Sequence, residues 1–272
     1  MSVAPRIGIS TYALFWECSE RNPEPIGPGG MLDRAAELGC NVLQICDYRP
    51  IEHLEARELA GLRRQAADLG VEIELGTRGV EVEHLRAYLD LCEALDAHML
   101  RSMVIPDAGS HPTGRALAAL GSLASELESR GVSIALETYE QLAVIDLVGL
   151  VHALASPRIG VALDPANSVA RLEDPIDVIR RCAPITLNLH VKDFGFSRKD
   201  GWVGFTYAGA PMGTGLLDYA FEAAMVRPVQ RGISQVVEHW LGWQGDITTT
   251  VDTEKRWTKS AIEYIKERID ND

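Results

Sequence analysis

Four side chains of the kind that bind metal ions stand at the ends of short apolar runs in the second half of the chain. Glu137 ends SIALE, Asp164 ends IGVALD, His190 ends TLNLH and Glu238 ends SQVVE. Three carboxylates and one imidazole suit Mn²⁺, Mg²⁺ or Co²⁺ better than a structural zinc site. Without a cation, carboxylates brought together would raise one another's pKa. We therefore expect one divalent metal, with Mn²⁺ favoured over Mg²⁺, Co²⁺ or Zn²⁺, and with coordination positions left open for substrate oxygens.

The apolar runs that carry these residues belong to a longer series. Eight runs rich in Val, Ile and Leu are typical of parallel strands covered on both faces, and amphipathic helical patterns separate them. This alternation predicts an α/β fold, a (β/α)₈ TIM barrel, as one domain over residues 1–272. An open doubly wound sheet is the alternative, but no Gly-rich turn follows the first run. The predicted strands are Arg6–Ser10, Asn41–Cys46, Val71–Gly76, His98–Met103, Ser133–Glu137, Ile159–Asp164, Thr186–His190 and Ser234–Glu238.

Composition limits the classes of partner and compartment. The formal net charge of −13 over 272 residues disfavours binding to nucleic acid or to anionic membranes. Five cysteines, an odd number without a CxxC pair, indicate reduced thiols and a cytoplasmic protein. The first ten residues have no apolar signal core, and no apolar run reaches the roughly 20 residues of a membrane helix.

Basic residues near the same rim indicate the charge of the substrate. Arg78, Arg101, Lys192 and Arg198 follow or lie within the third, fourth and seventh predicted strands. Since arginine binds carboxylate or phosphate in a bidentate manner, two or more of these side chains pointing inward would indicate an anionic small molecule. The family resemblance given below implies that it is a carbohydrate. The alternative is that Arg78 and Arg101 pair with the nearby acids Glu74 or Glu72, or simply balance the acidic residues of the rim.

Three further features are less specific. His239 follows Glu238 and is predicted either to contact substrate or to pack against a helix, since adjacent strand residues face opposite ways. The segment 194–215 is predicted to be irregular, either a lid over the pocket or a packed surface loop. Phe15, Trp16, Trp240 and Trp243 are predicted either to line the pocket or to form core contacts or contacts in a homo-oligomer, a dimer or tetramer. The other histidines, among them His53 and His84, carry no functional signal.

Several of these stretches resemble a known family. The stretches ALETYE, LDPAN, LHVKD, GTGLLDY and VVEHW are similar to those of the xylose isomerase-like TIM-barrel superfamily, which includes the tagatose and psicose 3-epimerases. The resemblance implies that Glu137, Asp164, His190 and Glu238 hold one divalent metal and that both glutamates act as acid and base. Two positions depart from the epimerases: Asn167 stands where they carry histidine, and Ala143 where they often carry a second glutamate. Asn167 therefore joins the expected substrate contacts, which must differ from those for a neutral ketose.

The chemistry that follows is a choice among related reactions. A metal that chelates a carbonyl and a neighbouring hydroxyl stabilises an enediolate, which predicts a sugar or sugar-acid isomerase or epimerase. Loss of carbon dioxide from a 3-oxo sugar acid gives the same enediolate without a base, so a decarboxylase, as in the similar 3-oxo-isoapionate decarboxylases, is the alternative. Dehydration is a third outcome. A DNA-repair endonuclease is disfavoured by Asn167 and by the net charge, and a non-catalytic binding barrel by the retained ligand types.

Overall fold

The computed structural model describes residues 4–108 and 111–269, and its centre is a closed barrel of eight parallel strands. Each predicted strand is present, with ends shifted by at most one residue, so the predicted TIM barrel is confirmed. Around the barrel the order is β1, β10, β7, β6, β5, β4, β3 and β2. The strands are β1 (Ile7–Ser10), β2 (Val42–Cys46), β3 (Glu72–Gly76), β4 (Met99–Ser102), β5 (Ser133–Glu137), β6 (Ile159–Leu163), β7 (Thr186–Val191) and β10 (Ser234–Val237).

Helices surround this barrel and bury its outer face. Several end at a residue in the left-handed conformation, as at Gly70 and Gly131, whose φ angles are 67° and 66°. Glycine is favoured there because it has no Cβ to oppose a positive φ. The helices are α1 (Pro28–Glu37), α2 (Ala56–Leu69), α3 (Val82–Leu95), α4 (Gly114–Arg130), α5 (Val144–Leu154), α6 (Pro165–Val169), α7 (Pro175–Cys182), α8 (Tyr219–Val226), α9 (Pro228–Arg231) and α10 (Ile247–Ile269). Short 3-10 helices span Thr11–Ala13, Arg49–His53, Ala183–Ile185 and Asp200–Trp202.

A hydrogen-bonded polar layer crosses the inside of the barrel. Glu74 accepts hydrogen bonds from Gln44 at 2.9 Å, from Asn188 at 2.9 Å and from Ser234 at 2.6 Å. Arg6 also pairs with Glu74, at 3.4 Å, and with Glu72, at 2.5 Å. Arg78 and Arg101 pair with neither of these acids. Arg78 pairs with Asp47, and Arg101 pairs with Asp47 and with Glu137, as the alternative of balancing the acidic rim predicts. Buried polar groups that satisfy one another in this way fix the side chains above them.

The segment after β7 corrects another prediction. Residues 194–215 are not irregular throughout, because β8 (Phe194–Arg198) and β9 (Phe205–Gly209) form an antiparallel hairpin. Alternating aromatic residues support it, with Phe196 and Tyr207 paired across the strands and their ring centroids 5.0 Å apart. The Tyr207 hydroxyl donates to the carbonyl of Ala166, at 2.6 Å, and so ties the hairpin to the start of α6.

Asp193 holds the chain where it leaves this hairpin. Its Oδ2 accepts backbone N–H groups from Gly213 and Gly215, at 2.9 Å each, and its Oδ1 accepts those of Phe194 and Leu217. A Cβ on Gly215 would lie 2.3 Å from Asp193 Oδ1, so glycine is required there. The stretches LHVKD and GTGLLDY are thus two parts of one turn, which anchors the loop beside Lys192.

Two predictions about chemistry outside the site can also be compared with the structure. All five cysteines are free thiols, four of them buried. Among the described residues, no helix is both long enough and apolar enough to span a membrane.

Candidate metal centre

The barrel brings the four predicted metal ligands to one point at the carboxyl ends of its strands. Glu137, Asp164, His190 and Glu238 are buried, and one ligand atom from each lies within 4.8 Å of the others. His190 Nδ1 is 3.6 Å from Glu137 Oε1, 3.9 Å from Asp164 Oδ2 and 3.6 Å from Glu238 Oε1. Neighbouring parallel strands place these side chains on one rim, as the spacing predicted.

Local structure fixes each carboxylate. Asp164 follows β6 directly and caps the N-terminus of α6, where its Oδ1 accepts the backbone N–H of Asn167 at 3.3 Å. Asn167 donates in turn to Glu137 Oε1, at 2.6 Å. Ser10, at the end of β1, donates to Glu238 Oε1 at 2.9 Å. The carboxylate oxygens are thus oriented before any ion arrives.

The orientation of His190 fits a metal ligand. Its Nε2 lies 2.9 Å from Gln44 Oε1. The amide nitrogen of Gln44 donates to Glu74 and to Asn188, which leaves Oε1 as an acceptor. His190 therefore carries a proton on Nε2, and its Nδ1 faces three carboxylates. In the metal-free protein the charges of Glu238 and Glu137 outweigh burial and raise the pKa of this imidazole, and a bound cation would take the place of the second proton on Nδ1. Among the described residues Nδ1 has no hydrogen-bond partner, and a divalent cation satisfies this donor set.

Two buried cations flank the carboxylates. Arg101 Nη2 contacts Glu137 Oε2, and Lys192 Nζ lies 2.6 Å from Asp164 Oδ2 and 3.2 Å from Glu238 Oε2. Three carboxylates against these two cations leave one negative charge, so a divalent ion would give the centre a net charge of about +1. A centre with that charge attracts an anionic substrate and stabilises negative charge that develops during reaction.

The environment shifts the pKa values of these acids in different directions. Burial alone would raise the pKa of Glu137, but Arg101 outweighs it, with help from His190 and Lys192, and holds that pKa below its usual range. Burial raises the pKa of Asp164 to about 6, although Lys192 opposes the shift. For Glu238 the charges of His190 and Lys192 exceed the effect of burial and lower the pKa.

A cleft of about 730 Å³ opens beside the cluster, over the ends of β1, β2 and β3. Tyr12, Asp47 and Arg78 form one wall of it. His53 and His84 line this cleft further out, although no functional role was predicted for either of them. Asp47 Oδ2 is 3.4 Å from Arg101 Nη1, which connects the cleft to Glu137.

The remaining predicted contacts divide into two groups. Asn167 and Lys192 lie in the centre, within 3.2 Å of each other, and the Trp240 ring centroid is 4.4 Å from Lys192 Nζ. Arg198 and His239 lie outside this cluster, and their assignment as substrate contacts stays a prediction. Arg198 stacks on exposed Trp202 and Phe205 of the hairpin, because β8 carries it away from the barrel.

His239 faces outward because strand alternation turns it away from Glu238. Its Nε2 lies 3.2 Å from Thr258 Oγ1 on α10, so the alternative prediction of helix packing describes it. Burial lowers the pKa of His239 to about 4, which keeps the imidazole neutral there.

Sequence reasoning missed Ser10, Gln44, Asp47 and Tyr12. A signal existed for Asp47, which directly follows Cys46 at the end of β2, as Asp164 directly follows Leu163 at the end of β6. Ser10 likewise ends β1. Gln44 lies in the middle of its strand, where a polar residue between Leu43 and Ile45 indicates an inward-facing partner.

Similarity to known proteins shows the family of this chain. The sequence profile of the xylose isomerase-like TIM barrel family matches residues 32–268. The chain belongs to this family. A 3-oxo-isoapionate decarboxylase of Pectobacterium atrosepticum is 46% identical over 262 residues, which are 96% of this chain and 95% of that protein. The predicted family is therefore confirmed, and the chain belongs among enzymes.

Solved structures of the family share the fold at low sequence identity. A D-psicose 3-epimerase with D-tagatose from Clostridium cellulolyticum H10 is 16% identical, with a TM-score of 0.71 over 96% of this chain and 98% of that one. A xylose isomerase-like barrel from Mycobacterium smegmatis in complex with magnesium is 13% identical, with a TM-score of 0.66 over 96% and 97% of the chains. At these sequence identities the similarity shows a shared barrel fold only.

Proposed function

We propose that this chain is a divalent-metal-dependent decarboxylase of a 3-oxo sugar acid. The observation that carries the proposal is the buried ion pair between Arg101 and Glu137. An epimerase needs two carboxylates that can remove a proton from one face of its substrate and return it on the other. Here a guanidinium covers one glutamate, while Lys192 and Ser10 hold the other, Glu238.

Decarboxylation does not require such a base. The bond between the carboxylate carbon and its neighbour breaks, carbon dioxide leaves, and the bonding electrons pass to the 3-oxo group to give an enediolate. One proton from solvent then adds to the carbon that lost the carboxylate, and a hydroxyketone results. When bound, the divalent ion supplies Lewis-acid stabilisation of the developing negative charge.

The chain's own residues supply positioning and charge. Lys192 Nζ is buried between Asp164 and Glu238 and brings a positive charge to the place where the enediolate forms. Its contact with Trp240 shields that charge from water. The amide of Asn167 is hydrogen-bonded to both Glu137 and Lys192, so it fixes their separation.

The relative at 46% identity supports the same reaction class. The name of that protein also suggests a first substrate to test, 3-oxo-isoapionate. Among metals, Mn²⁺ is our choice because the ligands are three carboxylates and one imidazole. We also propose a homo-oligomer, because Phe15, Trp202 and Trp243 expose large aromatic faces.

Isomerisation or epimerisation of a sugar or sugar acid is the second candidate. It is favoured by one observation: Glu137 and Glu238 approach His190 at the same distance, 3.6 Å, as a pair that could flank a substrate. The two reactions share the enediolate and differ in whether carbon dioxide is released.

The experiment combines metal content with product analysis. We expect about one Mn²⁺ per chain in the wild type. Glu238→Gln should lose most of this metal, because a neutral amide replaces one of the carboxylate ligands. Glu263→Gln, an exposed change on α10, is the matched control. The Mn²⁺-loaded wild type should release carbon dioxide from 3-oxo-isoapionate and leave D-psicose unchanged. Epimerisation of D-psicose without carbon dioxide from the acid would favour the second candidate instead.

A further inference from the structure

The cleft beside the metal centre contains an arginine that is held firmly and still has free donors. Arg78 Nε donates to Asp47 Oδ2 at 3.0 Å, and Arg78 Nη2 donates to the Tyr12 hydroxyl at 2.8 Å. These bonds use the Nε–Nη2 edge of the guanidinium. Among the described residues, Nη1 has no hydrogen-bond partner. The Nη1–Nη2 edge is therefore free, and the side chain, 54% exposed, lines the cleft. Such an edge matches the two oxygens of a carboxylate.

Asp47 orients the guanidinium of Arg78. Its Oδ2 is within 3.4 Å of three donors: the Tyr12 hydroxyl at 2.7 Å, Arg78 Nε and Arg101 Nη1. The backbone of Asp47 has a φ of 51°, in the left-handed region. Aspartate tolerates this conformation better than most residues other than glycine. Asp47 connects Arg78 in the cleft with Arg101, and through Arg101 with the metal ligand Glu137.

We propose that Arg78 anchors the substrate carboxylate and that Asp47 is the positioning residue that fixes the anchor relative to the metal centre. This inference rests on the proposed function, since a 3-oxo acid is what brings a carboxylate to the site. The substrate carboxylate lies in the cleft over β1, β2 and β3. The oxo group lies at the metal-ligand cluster, over β5, β6, β7 and β10. The bond that breaks spans the two.

This division has a kinetic consequence. The carboxylate becomes neutral carbon dioxide, so a cation that pairs with it stabilises the bound substrate more than the transition state. Arg78 should therefore contribute to KM and not to kcat. Replacing it should raise KM while kcat stays the same or rises. A group that stabilises the enediolate would show the opposite pattern, with kcat lowered.

The test uses a ligand that binds without reacting. L-threonate is a four-carbon sugar acid without a ketone, and erythritol is a neutral polyol of the same length. Calorimetric titration of the full, Mg²⁺-loaded protein should show threonate binding and much weaker erythritol binding. Arg78→Met should weaken threonate binding about 10- to 100-fold. Arg78→Lys should recover part of it, because charge remains while the bidentate edge is lost.

Asp47→Asn should weaken threonate binding about 3- to 10-fold, because Arg78 keeps its charge but loses the carboxylate that orients its guanidinium. Arg57→Met, an exposed arginine on α2, is the control, and thermal unfolding of every variant checks that it folds. The anchor is overturned if Arg78→Met binds threonate like the wild type, if the wild type does not bind threonate, or if inorganic phosphate binds more tightly.

Failure of the anchor and failure of the proposed function give different results. Carbon dioxide release with a KM that does not change in Arg78→Met overturns the anchor alone. Arg78-dependent binding of threonate without carbon dioxide release from any 3-oxo acid removes the decarboxylase and leaves a carboxylate site.

Discussion

Gln44 Oε1 lies 2.9 Å from His190 Nε2, at the floor of the metal-ligand cluster. This one contact decides which imidazole nitrogen carries the proton and which faces the carboxylates. Gln44 is itself held by Glu74 and Asn188. The polar layer inside the barrel therefore determines which nitrogen of His190 faces the metal site.

Replacing Gln44 with methionine should lower the affinity for Mn²⁺ about 10- to 100-fold, because the imidazole loses the acceptor that fixes its tautomer. Competitive titration against a chelating dye measures this affinity. Gln65→Met, on the outer helix α2, is the matched control and should bind the metal like the wild type. Equal affinities for the two variants would refute this role of Gln44.

The ion pair between Arg101 and Glu137 should appear as coupling in a double-mutant cycle. In the metal-free protein, Arg101→Met leaves a buried carboxylate without its cation and should cost about 3–5 kcal/mol in the free energy of unfolding. The double variant Arg101→Met/Glu137→Gln should cost clearly less than the two single changes added together. Denaturant unfolding with EDTA present measures all four proteins, and strictly additive values would argue against a direct pair.

Lys192→Met should lower kcat about 10²- to 10³-fold, because a positive charge next to the developing enediolate is lost. The effect on KM should be smaller. Steady-state kinetics with the Mn²⁺-loaded enzyme measures both constants, and Lys259→Met, an exposed change on α10, is the control. A variant with a raised KM and an unchanged kcat would show that Lys192 binds the substrate without stabilising the transition state.

Glu222 on α8 predicts a pH dependence of stability. Its side chain is fully buried, and among the described residues neither oxygen has a hydrogen-bond partner, so burial raises its pKa well above the usual value. The folded state therefore keeps a proton that the unfolded state loses above about pH 4.3. The contribution of this group to stability is full below that pH and is lost as pH rises towards the folded pKa, by about 1.4 kcal/mol per pH unit.

Denaturant unfolding at pH 5 and pH 8 tests this prediction with Glu222→Gln, which cannot ionise. The stability of the variant relative to the wild type should be higher at pH 8 than at pH 5. Glu263→Gln should show no such change. An equal offset at both pH values would mean that Glu222 is ionised in the folded protein.

The fold could be predicted because strands buried on both faces are continuous apolar runs, and their ends are marked by turns. The metal cluster could be predicted for a related reason: Glu137, Asp164, His190 and Glu238 each stand at a strand end, and barrel closure brings strand ends together. Only the residue types and their places along the chain were needed.

Contacts that depend on side-chain direction were not predictable in the same way. Arg101 lies in the middle of a short strand, and its inward orientation follows from the register of β4 against β3 and β5. Arg198 comes after β7, the strand that contains the metal ligand His190. It lies on the hairpin strand β8, however, and stacks there on Trp202 and Phe205. That hairpin had a signal in the alternation of Phe194 with Phe196 and of Phe205 with Tyr207, which the glycines on both sides obscured.

The central claim is that this site releases carbon dioxide from a 3-oxo acid and then adds a proton to the same carbon. The most direct measurement is ¹³C NMR of carboxyl-labelled 3-oxo-isoapionate in D₂O with the Mg²⁺-loaded enzyme. We expect labelled carbon dioxide and a hydroxyketone with about one deuterium at the new C–H bond for each molecule released, and with EDTA only the slow uncatalysed release. Deuterium in recovered acid or in its epimer, with the label still in the carboxylate, would contradict it.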